Sequence, residues 1–205
     1  RKADKALYLA KEKGKNRHII YEERLHGKLE TDDMQNMAMA YAVSKEKKRE
    51  AITEMITELC VSGVNAIVKS EERLQQIRSL FDLDGITVFS DRGNRLVCRN
   101  GNYMAEAPDG RLGFEDEGYL SLFGDDDIFV ESNMIKLRSQ SPAAYAVTQE
   151  QEVGAALQCL SRKEGIPYTM VSFEVFNRNR KWSDKDVTLL TLLGHCIGDL
   201  LNYSE

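Results

Sequence analysis

Five polar side chains are spaced so that strands and a short helix could turn them toward one surface. Along residues 170–176, Val171, Phe173 and Val175 alternate with Ser172 and Glu174, so a strand here aims two polar groups at one face. In AALQCLS (155–161), Leu157 and Cys159 share a face and Gln158 takes the other. Glu131 closes the apolar run IFVES, and Tyr145 lies in a short helical stretch after Ser141-Pro142. A hydroxyl, an amide, a phenol and two carboxylates converging on a concave surface suit a small organic ligand. If short helices and loops cover that surface as a pocket, Glu131, Tyr145, Gln158, Ser172 and Glu174 are the candidate ligand-binding residues. If that side of the sheet is uncovered, Gln158, Ser172 and Glu174 simply face water.

Other chemistry finds less support. Cys60, Cys98, Cys159 and Cys196 are widely spaced and form no CxxC pair, which argues against metal ligation and a disulfide framework. Their positions, mid-strand or mid-helix, fit reduced core thiols. His18, His26 and His195 have no serine or cysteine partner in series, so there is no triad to assign. The run Asp125 to Asp127 lacks the ligand rhythm of an EF-hand loop. No catalytic or metal-binding residue is assigned, and no cofactor is named.

The elements that must position the candidates follow from periodicity. With 205 residues, 42% hydrophobic and 30% charged, the chain can bury one good domain and an appendage. From Thr31 or Asp32 to about Ser70 nothing breaks a helical pattern. Its stripe is Ile52, Met55, Ile56, Leu59, Val64 and Ile67, with a slip near Gly63. One long connector helix or two ordinary ones would both fit. A helix EERLQQIRSLF follows, then a hairpin from GITVFSD (85–91) and RLVCRN (95–100). Residues 101–127 read as a long Gly- and Asp-rich loop region, 128–132 as a third strand and 133–151 as short helices. A second hairpin (155–161 and 167–177, turning at Lys163 to Gly165) leads to a last helix opened by Ser183 and Asp186. The fold class is α+β: an antiparallel sheet packed against N- and C-terminal helices.

Two stretches resemble known families. ADKALYLAKEKGKNR (3–17) is an amphipathic helix with Gly14 at its stop, then a strand around Ile19 and Tyr21. It resembles the closing segment of a GGDEF (diguanylate cyclase) domain through Ala3, Asp4, Ala6, Leu7, Tyr8, Ala10, Lys11, Gly14, Lys15, Asn16 and Arg17. The acidic GGDEF turn itself is absent. From about residue 50 to 204 the chain resembles a GAF domain. The last strand runs into Trp182, a Ser183/Asp186 cap and the helix leucines Leu189, Leu190, Leu192 and Leu193. SPAAYAVTQEQEVGAALQCL is similar to the short helix and strand of GAF modules found beside GGDEF domains. The pattern of cyclic-nucleotide-binding GAF domains is missing, since GFEDEG (113–118) shares only its composition.

These resemblances imply three parts: residues 1–23 as the end of a GGDEF domain, 24–49 as a linker entering the long helix, and 50–204 as a GAF sensor. They further imply a non-catalytic regulatory module that modulates cyclic-di-GMP synthesis, with the GGDEF domain of the same chain as partner. A ligand-free GAF-fold dimerisation platform and a thiol-dependent methionine sulfoxide reductase are the alternatives. The apolar positions Ile52, Met55, Ile56, Leu59, Leu189, Leu192, Leu193, Cys196 and Leu200 exceed what one sheet face needs and predict a homodimer. Residues 1–50 carry a net charge of +4 and the remainder −9, which disfavours nucleic acid. No apolar run approaches the roughly 18 residues of a membrane span, so a cytoplasmic location is expected.

Overall fold

The computed structural model describes Ala6, Ile20, Glu22, Arg24 and residues 31–62, 71–90, 96–99, 102–104 and 116–203. The helix and strand expected over residues 3–23 lie almost wholly outside them. Two compact units divide the chain, Arg1–Lys47 and Lys48–Glu205, and the second holds the sheet.

Helix α1 (Thr31–Ser62) is one continuous helix of 32 residues. Neither glycine nor proline occurs in it, and Ala, Met, Lys and Glu dominate. Residues 63–70, where the slip in the apolar stripe falls, are outside the described residues. Helix α2 (Glu71–Leu80) follows, and then a six-stranded antiparallel sheet begins. Its strands are β1 (Gly85–Ser90), β2 (Leu96–Arg99), β3 (Asn102–Met104), β4 (Ile128–Glu131), β5 (Val153–Lys163) and β6 (Ile166–Phe176). Their spatial order is β3-β2-β1-β6-β5-β4. Between β3 and β4 lies α3 (Glu117–Leu120); between β4 and β5 come a 3₁₀ turn (Met134–Lys136), α4 (Leu137–Gln140) and α5 (Pro142–Glu150). Helix α6 (Asp184–Tyr203) closes the described chain.

The β5–β6 hairpin turns on Glu164 and Gly165 alone, both with positive φ (54° and 83°). This is the twist that a two-residue loop needs to match its strands. Lys163, expected in the turn, instead pairs with Ile166.

Each face of the sheet has its own core. On one, Ile86, Val88, Leu157, Cys159, Val171, Phe173 and Val175 share a buried cluster with Ile52, Met55 and Leu59 of α1 and Leu190, Leu193 and Ile197 of α6. The buried positions of α6 recur every three to four residues and include Gly194 and Gly198. A β-carbon at Gly194 would stand 2.6 Å from Cys159 Sγ, so glycine there lets the helix backbone settle onto the strand. The α1 stripe thus goes largely into the protein's own core, against the expectation that it is surplus. Of the apolar positions in that expectation, Leu192 is the one left largely exposed, at 55%.

The opposite face carries a second cluster: Phe89, Phe129, Ala156, Leu160 and Met170 from the sheet, beneath Tyr119, Phe123, Met134, Leu137 and Ala144. A polar clasp holds the start of α6. Ser183 Oγ accepts from Asp186 N (3.2 Å), Lys48 Nζ reaches Asp186 Oδ1 (2.8 Å), and Trp182 Nε1 donates to the Glu131 carbonyl (3.2 Å). Among the described residues no helix is long and apolar enough to cross a membrane.

Candidate functional site

Register decides which side chains meet. Gln158 of β5 stands opposite Ser172 of β6, which stands opposite Thr87 of β1. Residues directly opposed in antiparallel strands point the same way. Three polar side chains therefore form one row across the sheet, on the face away from α1 and α6. Glu174 lies on the same face in the next row, opposite Ala156 and Gly85. Arg99 holds the register position beyond Gly85.

This face is covered. Ser172 is 0% exposed, Glu174 2% and Gln158 5%. The alternative in which they face water is overturned, because α3, α4, α5 and the 3₁₀ turn roof the sheet with the second apolar cluster. Burial on this scale costs free energy unless the polar atoms find partners. They do: the Tyr119 hydroxyl donates to Gln158 Oε1. Gln158 Nε2 donates to Ser172 Oγ at 3.2 Å, and Thr87 Oγ1 donates to Glu174 Oε2 at 3.1 Å. Burial pushes the Tyr119 phenol above its usual range; the Gln158 bond opposes this, while the Glu174 and Asp116 carboxylates add to it. Tyr119 therefore remains a neutral donor.

Tyr119 is held from both ends. Its ring meets Phe123 and Phe129 edge-on at 5.7 and 6.0 Å. Its backbone N donates to Asp116 Oδ1 at 3.0 Å, and Asp116 Oδ2 accepts from Ser141 Oγ at 2.5 Å. Ser141 Oγ also accepts from Ala144 N (3.3 Å), so one carboxylate joins the starts of α3 and α5. The Ser141 hydroxyl, with the Tyr119 backbone N–H, holds the Asp116 carboxyl below its usual range. A lowered native pKa contributes stability above the unfolded value and loses it as pH falls through the folded one. Asp116→Ala is expected to cost about 1 kcal/mol at pH 7. The gap to wild type should narrow as pH falls below about 4 and the wild-type carboxyl takes up its proton. Urea titrations at pH 7 and pH 3 check this; an equal gap at both would refute it.

Gln158, Ser172 and Glu174 thus share the roofed face. Glu131 is on the same face by register with Ala156, but its carboxylate accepts from Asn133 N and Lys136 Nζ, both at 2.9 Å. Tyr145, half-buried on α5, packs against the apolar cluster of the roof. Sequence reasoning missed Thr87, Asp116, Tyr119 and Ser141. Thr87 was findable: with β1 beside β6, the alternation of GITVFS places it across from Ser172. Asp116 and Tyr119 fell within the region read as a long loop.

The thiols lie elsewhere. Cys159 is in the helix-side core, its thiol pushed up to about 12, chiefly by burial. Cys196 on α6 is pushed up to about 11, again chiefly by burial, and Cys60 is exposed on α1. His195 is half-buried on α6. Among the described residues no group of three His, Cys, Asp or Glu could hold a metal ion. Asp127 of the acidic run is paired with Arg162 Nε at 2.8 Å.

Among solved structures, the chromophore-binding domain of the bacteriophytochrome RpBphP3 from R. palustris aligns with a TM-score of 0.54. It covers 78% of this chain and 62% of that one at 14% identity. The fold is GAF-like. The Stigmatella aurantiaca phytochrome photosensory core module aligns at 0.53, with 15% identity over 76% of this chain and 36% of that one. The far-red absorbing dark state of JSC1_58120g3, with bound biliverdin IXa, aligns at 0.50, with 16% identity over 74% of this chain and 97% of that one. At such identities the likeness is one of fold. No protein-family model matches the chain, and no curated protein sequence does. The GAF-like sheet accounts for the layout: helices α1 and α6 on one side, and the polar row beneath short helices on the other.

Proposed function

We propose that this chain is the sensory GAF module of a cyclic-di-GMP signalling protein, non-catalytic itself, which holds a small organic ligand on the roofed face of its sheet. The observation that carries the reading is the hydrogen-bonded run Tyr119–Gln158–Ser172 beside Thr87–Glu174. The helix-side face of the central strands is almost wholly apolar over the same length. A face serving only as core gains nothing from polar groups that each demand a partner. The binding of biliverdin IXa by a structural neighbour supports an organic ligand. None of the described cysteines lies on the polar face, so hydrogen bonds and packing hold the ligand in this reading.

Strand β6 supplies the coupling. It turns Ser172 and Glu174 to the ligand and Val171, Phe173 and Val175 to the core shared with α1. A ligand shifts an equilibrium only by binding its two states differently. A change in β6 packing therefore bears on α1, which leads toward residues 1–23. The cyclase context rests on the resemblance of those residues to the end of a GGDEF domain.

A second reading, the ligand-free dimerisation platform, is favoured by one observation: Tyr119 already satisfies Gln158 from within. Exposed Leu192 would then serve its interface. Thiol chemistry is disfavoured, because Cys159 and Cys196 stay protonated near neutral pH. Native mass spectrometry of the purified chain separates the readings: a retained small molecule supports the sensor, an empty dimer the platform.

A further inference from the structure

Asp186 opens α6 beside Ser183, whose Oγ accepts from its backbone N at 3.2 Å. Its carboxylate serves two cations from elsewhere in the chain. Lys48 Nζ of α1 reaches Oδ1 at 2.8 Å, and Arg180 Nη2 lies 3.5 Å from Oδ2. None of the three side chains is more than 16% exposed. Each cation also rests on an aromatic ring: Lys48 Nζ is 4.6 Å from the Phe81 ring centre, and the Arg180 guanidinium 4.3 Å from that of Trp182. From there the contacts run on to the end of β4. Arg180 N donates to the Ser132 carbonyl (3.0 Å) and Trp182 Nε1 to the Glu131 carbonyl (3.2 Å). The Glu131 carboxylate accepts from Asn133 N and Lys136 Nζ, at the 3₁₀ turn that forms part of the roof.

We propose that Asp186 and its two cations form a conformational latch that couples α1, on one face of the sheet, to the roof over the other. The latch takes its regulatory meaning from the sensory reading above. When it is closed, Lys48 and the Arg180–Trp182 stack share one carboxylate. A shift of the roof moves Glu131 and Ser132, and with them the stack that holds Asp186 in place. Lys48 then loses its anion. A partly buried charge without its counter-ion is unfavourable, so Lys48 turns out to water and the helical turn around it loosens. The open state keeps α1 docked through Ile52, Met55 and Leu59. The dependence is reciprocal, so release of Lys48 weakens the hold on the roof by the same factor.

The test contains no ligand, so it can fail while the ligand reading stands, and the reverse. Hydrogen–deuterium exchange on the full chain compares Lys48→Met, Trp182→Phe and Asp186→Asn with wild type. Each keeps much of the side-chain bulk and removes a charge or an N–H. Trp182→Phe should speed amide exchange about threefold or more in residues 48–56 of α1, and Lys48→Met should do the same in residues 131–137. In Asp186→Asn both segments should exchange faster, and neither second substitution should add to the effect at the far segment. The unfolding constants of the Lys48→Met and Trp182→Phe pair should depart from additivity by about threefold or more. A further measurement needs no substitution: potassium chloride at about 1 M weakens ion pairs and should speed both wild-type segments together. Effects confined to the segment nearest each substitution, with additive unfolding constants, would overturn the proposal. So would a salt response in one segment alone, or an Asp186→Asn background in which Trp182→Phe still reaches α1.

Discussion

Phe173→Ala is expected to destabilise the sheet-bearing unit by about 3–5 kcal/mol, the usual cost of emptying a large buried aromatic site. Phe173 is fully buried at the centre of β6, opposite Ile86 on one side and Leu157 on the other. A β-carbon at Gly194 would come within 3.3 Å of its ring, so α6 lies directly over it. Neither a strand held in its ladder nor a helix clasped at its start can move in to fill the gap, which puts the cost at the upper part of the range. Ile166→Ala is the control, because Ile166 is 68% exposed beside the hairpin turn and should change stability by only about 0.5 kcal/mol. Urea denaturation checks both. A loss under about 1.5 kcal/mol at Phe173 would mean that α6 does not bear on β6 as described.

Gln158→Leu should have the second largest effect, and the way it is rescued is informative. The substitution leaves the buried Tyr119 hydroxyl and Ser172 hydroxyl without the partners they now have. Each orphaned group costs about 1–3 kcal/mol. Adding Tyr119→Phe removes one of them, so the double variant should recover about 1 kcal/mol or more relative to Gln158→Leu. Ligand retention should behave differently. In a sensor, both the single and the double variant lose ligand by tenfold or more, since the amide contacts it directly. In a self-filled platform, stability is rescued and there is no ligand to lose. Equilibrium unfolding and retained-ligand mass, measured on the same preparations, separate these outcomes.

Much of this was legible because β6 is long and alternates from Val171 to Val175. Val171, Phe173 and Val175 announce a helix-covered face, and Ser172 with Glu174 must then share the other. Sequence could not reveal whether that other face was roofed. The roof consists of α3 and α4, four residues each, a 3₁₀ turn and the nine-residue α5, and the first three are too short for helical periodicity to show that they pack on the sheet. What fixes α3 is a tertiary bond, Ser141 to Asp116, between residues 25 positions apart. Tyr119 therefore read as one scattered aromatic in a loop, although it anchors the polar network. Glu131 shares the polar face through its register with Ala156. Its side chain binds locally at the end of its strand because Asn133 and Lys136 lie within reach.

In the proposed function, the roofed polar face holds a small organic molecule. Native mass spectrometry of the 205-residue chain, purified without added ligand and compared with its own denatured mass, tests it most directly. The expected result is a folded species heavier than the bare chain by one small molecule, released on unfolding. Glu174→Gln, which keeps the volume and removes the charge, should carry that molecule at markedly lower occupancy while remaining folded. A folded species with only the bare-chain mass would contradict this and leave the ligand-free platform.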